Sequence, residues 1–338
     1  MALGQPGLAL GCAAKRWIDA LLDIDASNTY LLLAPLAAPE ESLPQAPNLL
    51  VHRVDSPLDA PFPDGLKLPE PADLLYTPSY LLPRLTGAKS EVVCVHDAGW
   101  NPKSAYWSWA APRMKEALHR TRGVHCLSRS TRDLLRERGR IPGRARTLAI
   151  PPGIDPRRFY PETEPAEDEG APYIAVVGNQ EPQATRSAAA DVFPRLRIRM
   201  RPCRLVPVGP EERARSRTAA IDFFGDLDTG QLAALFRGAL LVVQPSLFEA
   251  SGPTLLEAMA CGIPAACADQ PIFHELAGRG ASYFDPRDAR SIAKCMERLA
   301  LDPDLRAAAC ARALEQAARF DWKDSATRLL ELFEEAAS

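Results

Sequence analysis

The stretch Leu240–Cys267, LLVVQPSLFEASGPTLLEAMACGIPAAC, decides how this chain is organised. It opens on Leu240–Gln244, an apolar run ended by Pro245, which reads as a buried strand. Gly252-Pro253 then starts a helix, with proline in the first helical turn, where its missing N–H costs nothing. The helix runs through Ala260 and stops at Gly262, and a second strand, Ile263–Cys267, follows. A strand–loop–helix–strand unit of this kind belongs to a parallel sheet. Its loop lies at the carboxyl end of the first strand, where doubly wound sheets bind their ligands.

The same alternation extends outward in both directions. Strands are expected at Thr29–Ala34, Leu49–Arg53, Asp73–Thr77, Glu91–His96, Gly123–Leu127 and Arg146–Ile150, then at Tyr173–Val177 and Arg204–Val208. Helical segments lie between them, for example Ala13–Leu22, Met114–Arg120 and Ser130–Arg138. Beyond Phe284 the pattern becomes helix only: Asp288–Ala300, Pro303–Arg319 and Asp324–Ala336, the last capped by Asp324 or Ser325. The class is α/β. The acidic, proline-rich stretch PETEPAEDEGAP, 161–172, reads as a linker between a domain at 1–160 and another at 173–320, with 321–338 as a closing helix.

Composition excludes several classes. With 338 residues, 46% hydrophobic and 25% charged, the chain is an ordinary globular one, and a net charge of −3 gives no global pull on nucleic acid. No run approaches the roughly 18 apolar residues of a spanning helix. The N-terminal apolar run has no basic residue ahead of it, so a secretory signal is not expected. The eight cysteines are scattered, without a C-x-x-C pair, and read as reduced core residues of a cytoplasmic protein. His52, His119, His125 and His274 show no metal spacing. No G-x-S-x-G elbow or P-loop supports a hydrolase or a kinase.

Chemistry concentrates in the quoted loop. The backbone N–H groups of Ser251, Gly252, Thr254 and Leu255 point out of the helix start at its positive dipole end, a seat for phosphate. Glu249 lies in the loop, placed to accept hydrogen bonds from ligand hydroxyls. Glu257 sits one turn into the helix and leans back towards its start, where a carboxylate can take both hydroxyls of a ribose. A phosphate seat flanked by two such carboxylates describes a nucleotide sugar. The plainer reading is a surface acid plus a helix-stabilising glutamate. His96 ends a buried strand, where a structural role and a ligand contact both stay open.

With Pro245-Ser246, Glu249, Glu257-Ala258-Met259-Ala260 and Gly262-Ile263-Pro264, the stretch resembles retaining glycosyltransferases of the GT-B fold that carry an E-x7-E motif (glycosyltransferase family four, group 1 type). LAGRGASYFDPRD, 276–288, and the F-D-W at 320–322 extend the resemblance. VHD at 95–97, CLSRSTRDLL at 126–135, PPGID at 151–155, YIAVVG at 173–178 and RLVPVG at 204–209 carry it more weakly across the rest. It implies two Rossmann-like doubly wound parallel-sheet domains facing a central cleft. It also implies transfer of a sugar from a nucleotide-sugar donor to a hydroxyl of a glycan, glycolipid or small molecule, without metal or other cofactor.

By the same resemblance Glu249 and His96 serve the donor sugar and the chemistry, and Glu257 the ribose. The amides of Gly252, Thr254, Leu255 and Leu256, with Gly178 and Ser251, face the diphosphate or sugar; Asp226 and Leu227 lie near the base. Gly7, Asp97 and Trp100 fall on the acceptor side. The sequence departs from the family where an Arg and a Lys usually grip the diphosphate: Asn179 and Ala184 stand there, with Arg186 as a candidate substitute. Ser251 replaces a usual aromatic. Met1 to Gln5 is too short for the first strand, so the sheet lacks it or the sequence begins late. The departures leave a second reading open, a GT-B binding or scaffold protein that partners another transferase.

From Arg113 to Arg146 eleven Lys/Arg stand against three Asp/Glu. They are either solvated helix faces or a basic surface that docks on an anionic membrane, with Trp107 and Trp109 as an anchor or as lining of the acceptor side.

Overall fold

The computed structural model describes residues 9–36, 38–54, 66–79, 85–96, 105–162, 172–178, 204–207, 227–247, 249 and 251–338. The chain divides into two compact units, Met1–Gly153 together with Asp321–Ser338, and Ile154–Phe320.

In the first unit, β1 (Tyr30–Pro35) and β2 (Leu49–Val54) form a parallel pair. Among the described residues a second, four-stranded parallel sheet runs in chain order from β3 (Leu66–Thr77) through β4 (Leu85–Val95) and β5 (Gly123–Cys126) to β6 (Arg146–Ala149). β3 and β4 begin earlier than their apolar runs suggest, and Pro69 and Pro71 mark the reason the sequence hides it. Proline has no N–H for the ladder, and the β3–β4 register shifts between Lys67 and Ala72. The expectation about a first strand falls on residues 1–8, outside the described residues.

Two helical layers cover this sheet. On one face Val93, Val95, Val124 and Cys126 pack against Ala110, Met114 and Leu118 of α2 (Ala105–Arg120) and Leu135 of α3 (Arg129–Glu137). On the other, Val92 and Cys94 meet Trp17 and Leu21 of α1 (Ala9–Ile24) and Ala326, Leu329 and Leu332 of the closing helix, Trp322–Ala337. Alternate residues of β4 thus feed opposite layers, the two-sided burial that the apolar runs imply. α2 starts nine residues before the expected Met114 and accommodates Pro112 internally.

Among the described residues the second unit holds a five-stranded, all-parallel sheet in the order β11-β10-β9-β7-β8. Its strands are β7 (Tyr173–Val176), β8 (Arg204–Pro207), β9 (Leu241–Gln244), β10 (Ala265–Ala268) and β11 (Ala281–Phe284). β10 lies slightly later than expected: Pro264 cannot donate, although its carbonyl still accepts from the Val242 amide at 3.0 Å. Leu241 and Val243 face one core and Val242 the other. The helices are α4 (Thr229–Gly238), α5 (Pro253–Ala260), α6 (Pro271–Ala277), α7 (Ala289–Leu301) and α8 (Pro303–Ala317), and the helix over Trp322–Ala337 is α9. An aspartate caps four of them: Asp228 for α4, Asp288 for α7, Asp302 for α8 and Asp321 for α9. Asp321, and neither Asp324 nor Ser325, starts the last helix, accepting from the amides of Lys323 and Asp324.

The order of the described strands contains one reversal. From β7 the chain moves outward to β8, then returns to the other side of β7 to lay down β9, β10 and β11. The carboxyl ends of β7 and β9 therefore flank a topological switch point, the place where an open α/β sheet leaves a crevice for a ligand.

Candidate functional site

Gly178 follows β7, and Ser246, Glu249, Ser251 and Gly252 follow β9, so the switch point gathers the loop residues that the sequence singles out. A Cβ on Gly178 would stand 2.9 Å from Ser246 Oγ, so the two loops touch there. Ser246 is buried, and its hydroxyl finds no hydrogen-bond partner among the described residues.

Glu249 is buried, at 9% exposure, rather than standing free in a loop. Its Oε2 accepts from Gln244 Nε2 at 3.0 Å and its Oε1 from the Gly252 amide at 3.3 Å. The Gly252 N–H, expected to point freely out of the helix start, is therefore engaged by Glu249. Gly252 takes the left-handed conformation, φ 50°, as N-cap of α5, and Pro253 occupies the first helical position. A Cβ on Gly252 would meet Leu276 Cδ1 at 2.8 Å, a second reason for glycine.

Within α5 the amides of Thr254 and Leu255 precede the first intrahelical bond, whereas the amide of Leu256 is the first that the helix itself can use. The Leu255 and Leu256 side chains are in the core, so these two residues can address a ligand only through their backbone groups. Glu257 is half-buried on the next turn. The arrangement offers a carboxylate, two helix-start amides and a left-handed glycine at one crevice, a set that suits a ligand with hydroxyls next to an anionic group.

Leu227 lies just before the Asp228 cap of α4 and packs against the Val242–Phe236 core. In the first unit, His96 follows β4 and its Nε2 lies 3.0 Å from Ser79 Oγ. Burial holds its pKa down to about 4, so the ring is neutral near pH 7. Gly7, Asp97, Trp100, Asn179, Ala184, Arg186 and Asp226 lie outside the described residues. Gln244 was not expected to matter. The signal was there: one polar residue closing a strand whose other members are all apolar.

The fold, two units built on parallel sheets with a topological switch point in the second, is that of GT-B glycosyltransferases. The structure of WaaG, a glycosyltransferase involved in lipopolysaccharide biosynthesis, is similar over 96% of both chains with a TM-score of 0.69 at 15% identity. Anabaena Alr3699/HepE in complex with UDP and glucose is similar over 78% of both chains, TM-score 0.62, 16% identity. Residues 162–316 match the family model of glycosyl transferases group 1. O-antigen chain mannosyltransferase B of Escherichia coli is 30% identical over 118 residues, 35% of this chain and 31% of that protein. The matches to four such curated relatives span between 25% and 53% of their own length.

Proposed function

We propose that the protein is a retaining glycosyltransferase that moves a hexose from a nucleotide-sugar donor to a hydroxyl of a glycan, glycolipid or small-molecule acceptor. The observation that carries this is the buried Glu249 carboxylate, tied to the first amide of α5 at the switch point of a group 1 domain. A buried carboxylate costs folding free energy unless it is well bonded, so its placement at a ligand crevice argues for use. Glu249 takes hydroxyls of the donor sugar. Glu257 takes the ribose, and the helix-start amides the diphosphate, with Leu227 and Asp226 near the base. His96, neutral near pH 7, serves the sugar, and Gly7, Asp97 and Trp100 serve the acceptor. Asn179 leaves the diphosphate to Arg186 and the helix dipole, without a metal.

A panel of UDP, GDP, ADP and dTDP in thermal unfolding tests this. A nucleotide at a hundredfold its Kd adds about 2.7 kcal/mol, a clear shift in midpoint. Stabilisation by one nucleotide, unchanged by EDTA and lost in Glu257→Ala, supports the transferase reading. No shift with any of them supports the scaffold reading instead, which Asn179 and Ala184 favour.

The basic stretch Arg113–Arg146 gives the protein a cytoplasmic membrane face under this proposal. Several of its charges are already paired, Arg120 with Glu91 at 2.7 Å and Arg146 with Glu335 at 2.8 Å, which lowers what remains for lipid. Among the described residues no helix is long and apolar enough to cross a membrane. Co-sedimentation with anionic vesicles, abolished by salt, is the expected result.

A further inference from the structure

We infer that Gln244 is a positioning residue of the donor site, holding the Glu249 carboxylate against the start of α5. The inference rests on the transferase reading for its chemistry, but its geometry stands alone.

Gln244 is the last residue of β9, in register with Cys267 of β10, and only 1% exposed. Its neighbours on the strand, Leu241, Val242 and Val243, are wholly buried apolar residues. Its Nε2 donates to Glu249 Oε2 at 3.0 Å. An ionised carboxylate only accepts, so the amide must turn its nitrogen towards Glu249. That orientation leaves Gln244 Oε1 buried with no partner among the described residues.

A buried amide with one satisfied end is a poor choice for stability. A leucine would fill the same strand end without an orphaned acceptor, and orphaned buried groups are costly. What the amide supplies is direction. Together with the Gly252 amide on Oε1, it clamps both carboxylate oxygens and so fixes the plane of Glu249. One clamp comes from the rigid centre of the sheet and the other from the helix start, which is how a side chain on a loop is given a single geometry. The amide is also neutral. A cation at Gln244 would compete with a ligand hydroxyl for the carboxylate, whereas an amide holds it and leaves its charge in place.

Three variants test this. Gln244→Leu removes the clamp with little change of volume; Gln244→Glu replaces it by a second acid. With the nucleotide identified by the thermal panel, the expected result for Gln244→Leu is a kcat reduced at least tenfold, with the affinity for free nucleoside diphosphate within twofold of wild type. Gln244→Glu recovers activity only as pH is lowered, when one acid of the pair takes up a proton and its O–H replaces the amide donor. Gln244→Asn, whose amide is one methylene short, stays as impaired as the leucine variant. Equal kcat in Gln244→Leu and wild type overturns the inference, as does a parallel loss of nucleoside diphosphate affinity. A crystal structure of Gln244→Leu decides the matter independently of turnover. Glu249 is expected to leave the Gly252 amide, and a carboxylate that stays in place overturns the positioning role. Wild-type protein that binds no nucleotide, with Glu249 displaced in that crystal, sinks the transferase reading and leaves the positioning role standing.

Discussion

Gly153 is packed onto the backbone of Trp322: a Cβ built on it would stand 2.4 Å from the Trp322 amide nitrogen and 2.6 Å from its Cα. Around this contact, Ser325 Oγ donates to the Pro151 carbonyl at 2.8 Å and Arg328 to the Ala149 carbonyl at 2.7 Å. The Trp322 ring meets Trp17 edge-on at 5.1 Å. Backbone cannot swing aside as a long side chain can. Gly153→Ala is expected to destabilise the first unit by about 3 kcal/mol or more. Urea unfolding followed by tryptophan fluorescence checks it, and an unchanged midpoint would show that the two segments separate freely.

His125 makes the first unit sensitive to acid. Its Nε2 lies 2.9 Å from the Ile150 carbonyl, which only accepts, so Nε2 carries the proton. Nδ1 then accepts from the Tyr76 hydroxyl at 2.9 Å. Burial lowers its pKa from 6.5 to about 4, and the nearby Arg328 works in the same direction. Between those values the unfolded chain holds a proton that the folded one does not. Stability therefore falls as pH drops from about 6.5 towards 4, by at most about 3 kcal/mol from this ring. The measurement is the urea midpoint at pH 7 and pH 5 for wild type and His125→Gln. A pH slope that the substitution does not reduce would assign the acid lability elsewhere.

The structure changes which glutamate variants are informative. Glu249→Ala strips a partner from the buried Gln244 amide and from the Gly252 N–H, and is expected to cost about 1–3 kcal/mol of stability. Glu249→Gln keeps the volume and is the cleaner probe. It is expected to lose transfer while sparing nucleoside diphosphate affinity. Glu257→Ala, on a half-buried helix position, is expected to weaken the nucleotide itself with a smaller effect on stability. Isothermal titration of both variants separates the roles, and equal loss of affinity in the two would refute them.

α9 carries a prediction of its own. Leu329 is fully buried among Trp17, Val92 and Cys94. Leu329→Ala is expected to cost 2–5 kcal/mol, about what a buried leucine loses elsewhere, and to be read in the same urea titration.

Much of the second unit was legible because its punctuation is strong. Pro245, Gly252-Pro253 and Gly262 bracket β9 and α5 at places where only one backbone arrangement suits those residues. β11 and α6 were not read, since ASYF mixes small and polar residues and α6 is a short run with no clear period. α4 escaped because its cap, the Asp228–Gln231 box, follows no apolar stripe that stands out. The E-x7-E spacing was visible in the candidate site, but the Gln244–Glu249 bond was not. That contact joins a strand end to a residue five positions on, and only the fold of the intervening loop brings them together. The switch point was equally hidden, because strand order depends on which edge of β7 each later strand chooses, and nothing local encodes that choice.

The first unit is assembled from two segments far apart in the chain, Met1–Gly153 and Asp321–Ser338. Ala326, Leu329, Leu332 and Ala336 of α9 complete a core begun by Trp17 and Leu21 of α1, and Ser90 closes it by donating to the Ala336 carbonyl at 2.6 Å. During synthesis, everything belonging to Ile154–Phe320 leaves the ribosome before those residues do. The later unit in sequence can thus reach its native state first, while the earlier one waits with an apolar sheet face uncovered. A chain stopped after Phe320 would keep the whole Ile154–Phe320 unit and still expose that face, so such a product is expected to depend on chaperones rather than to lose its switch point.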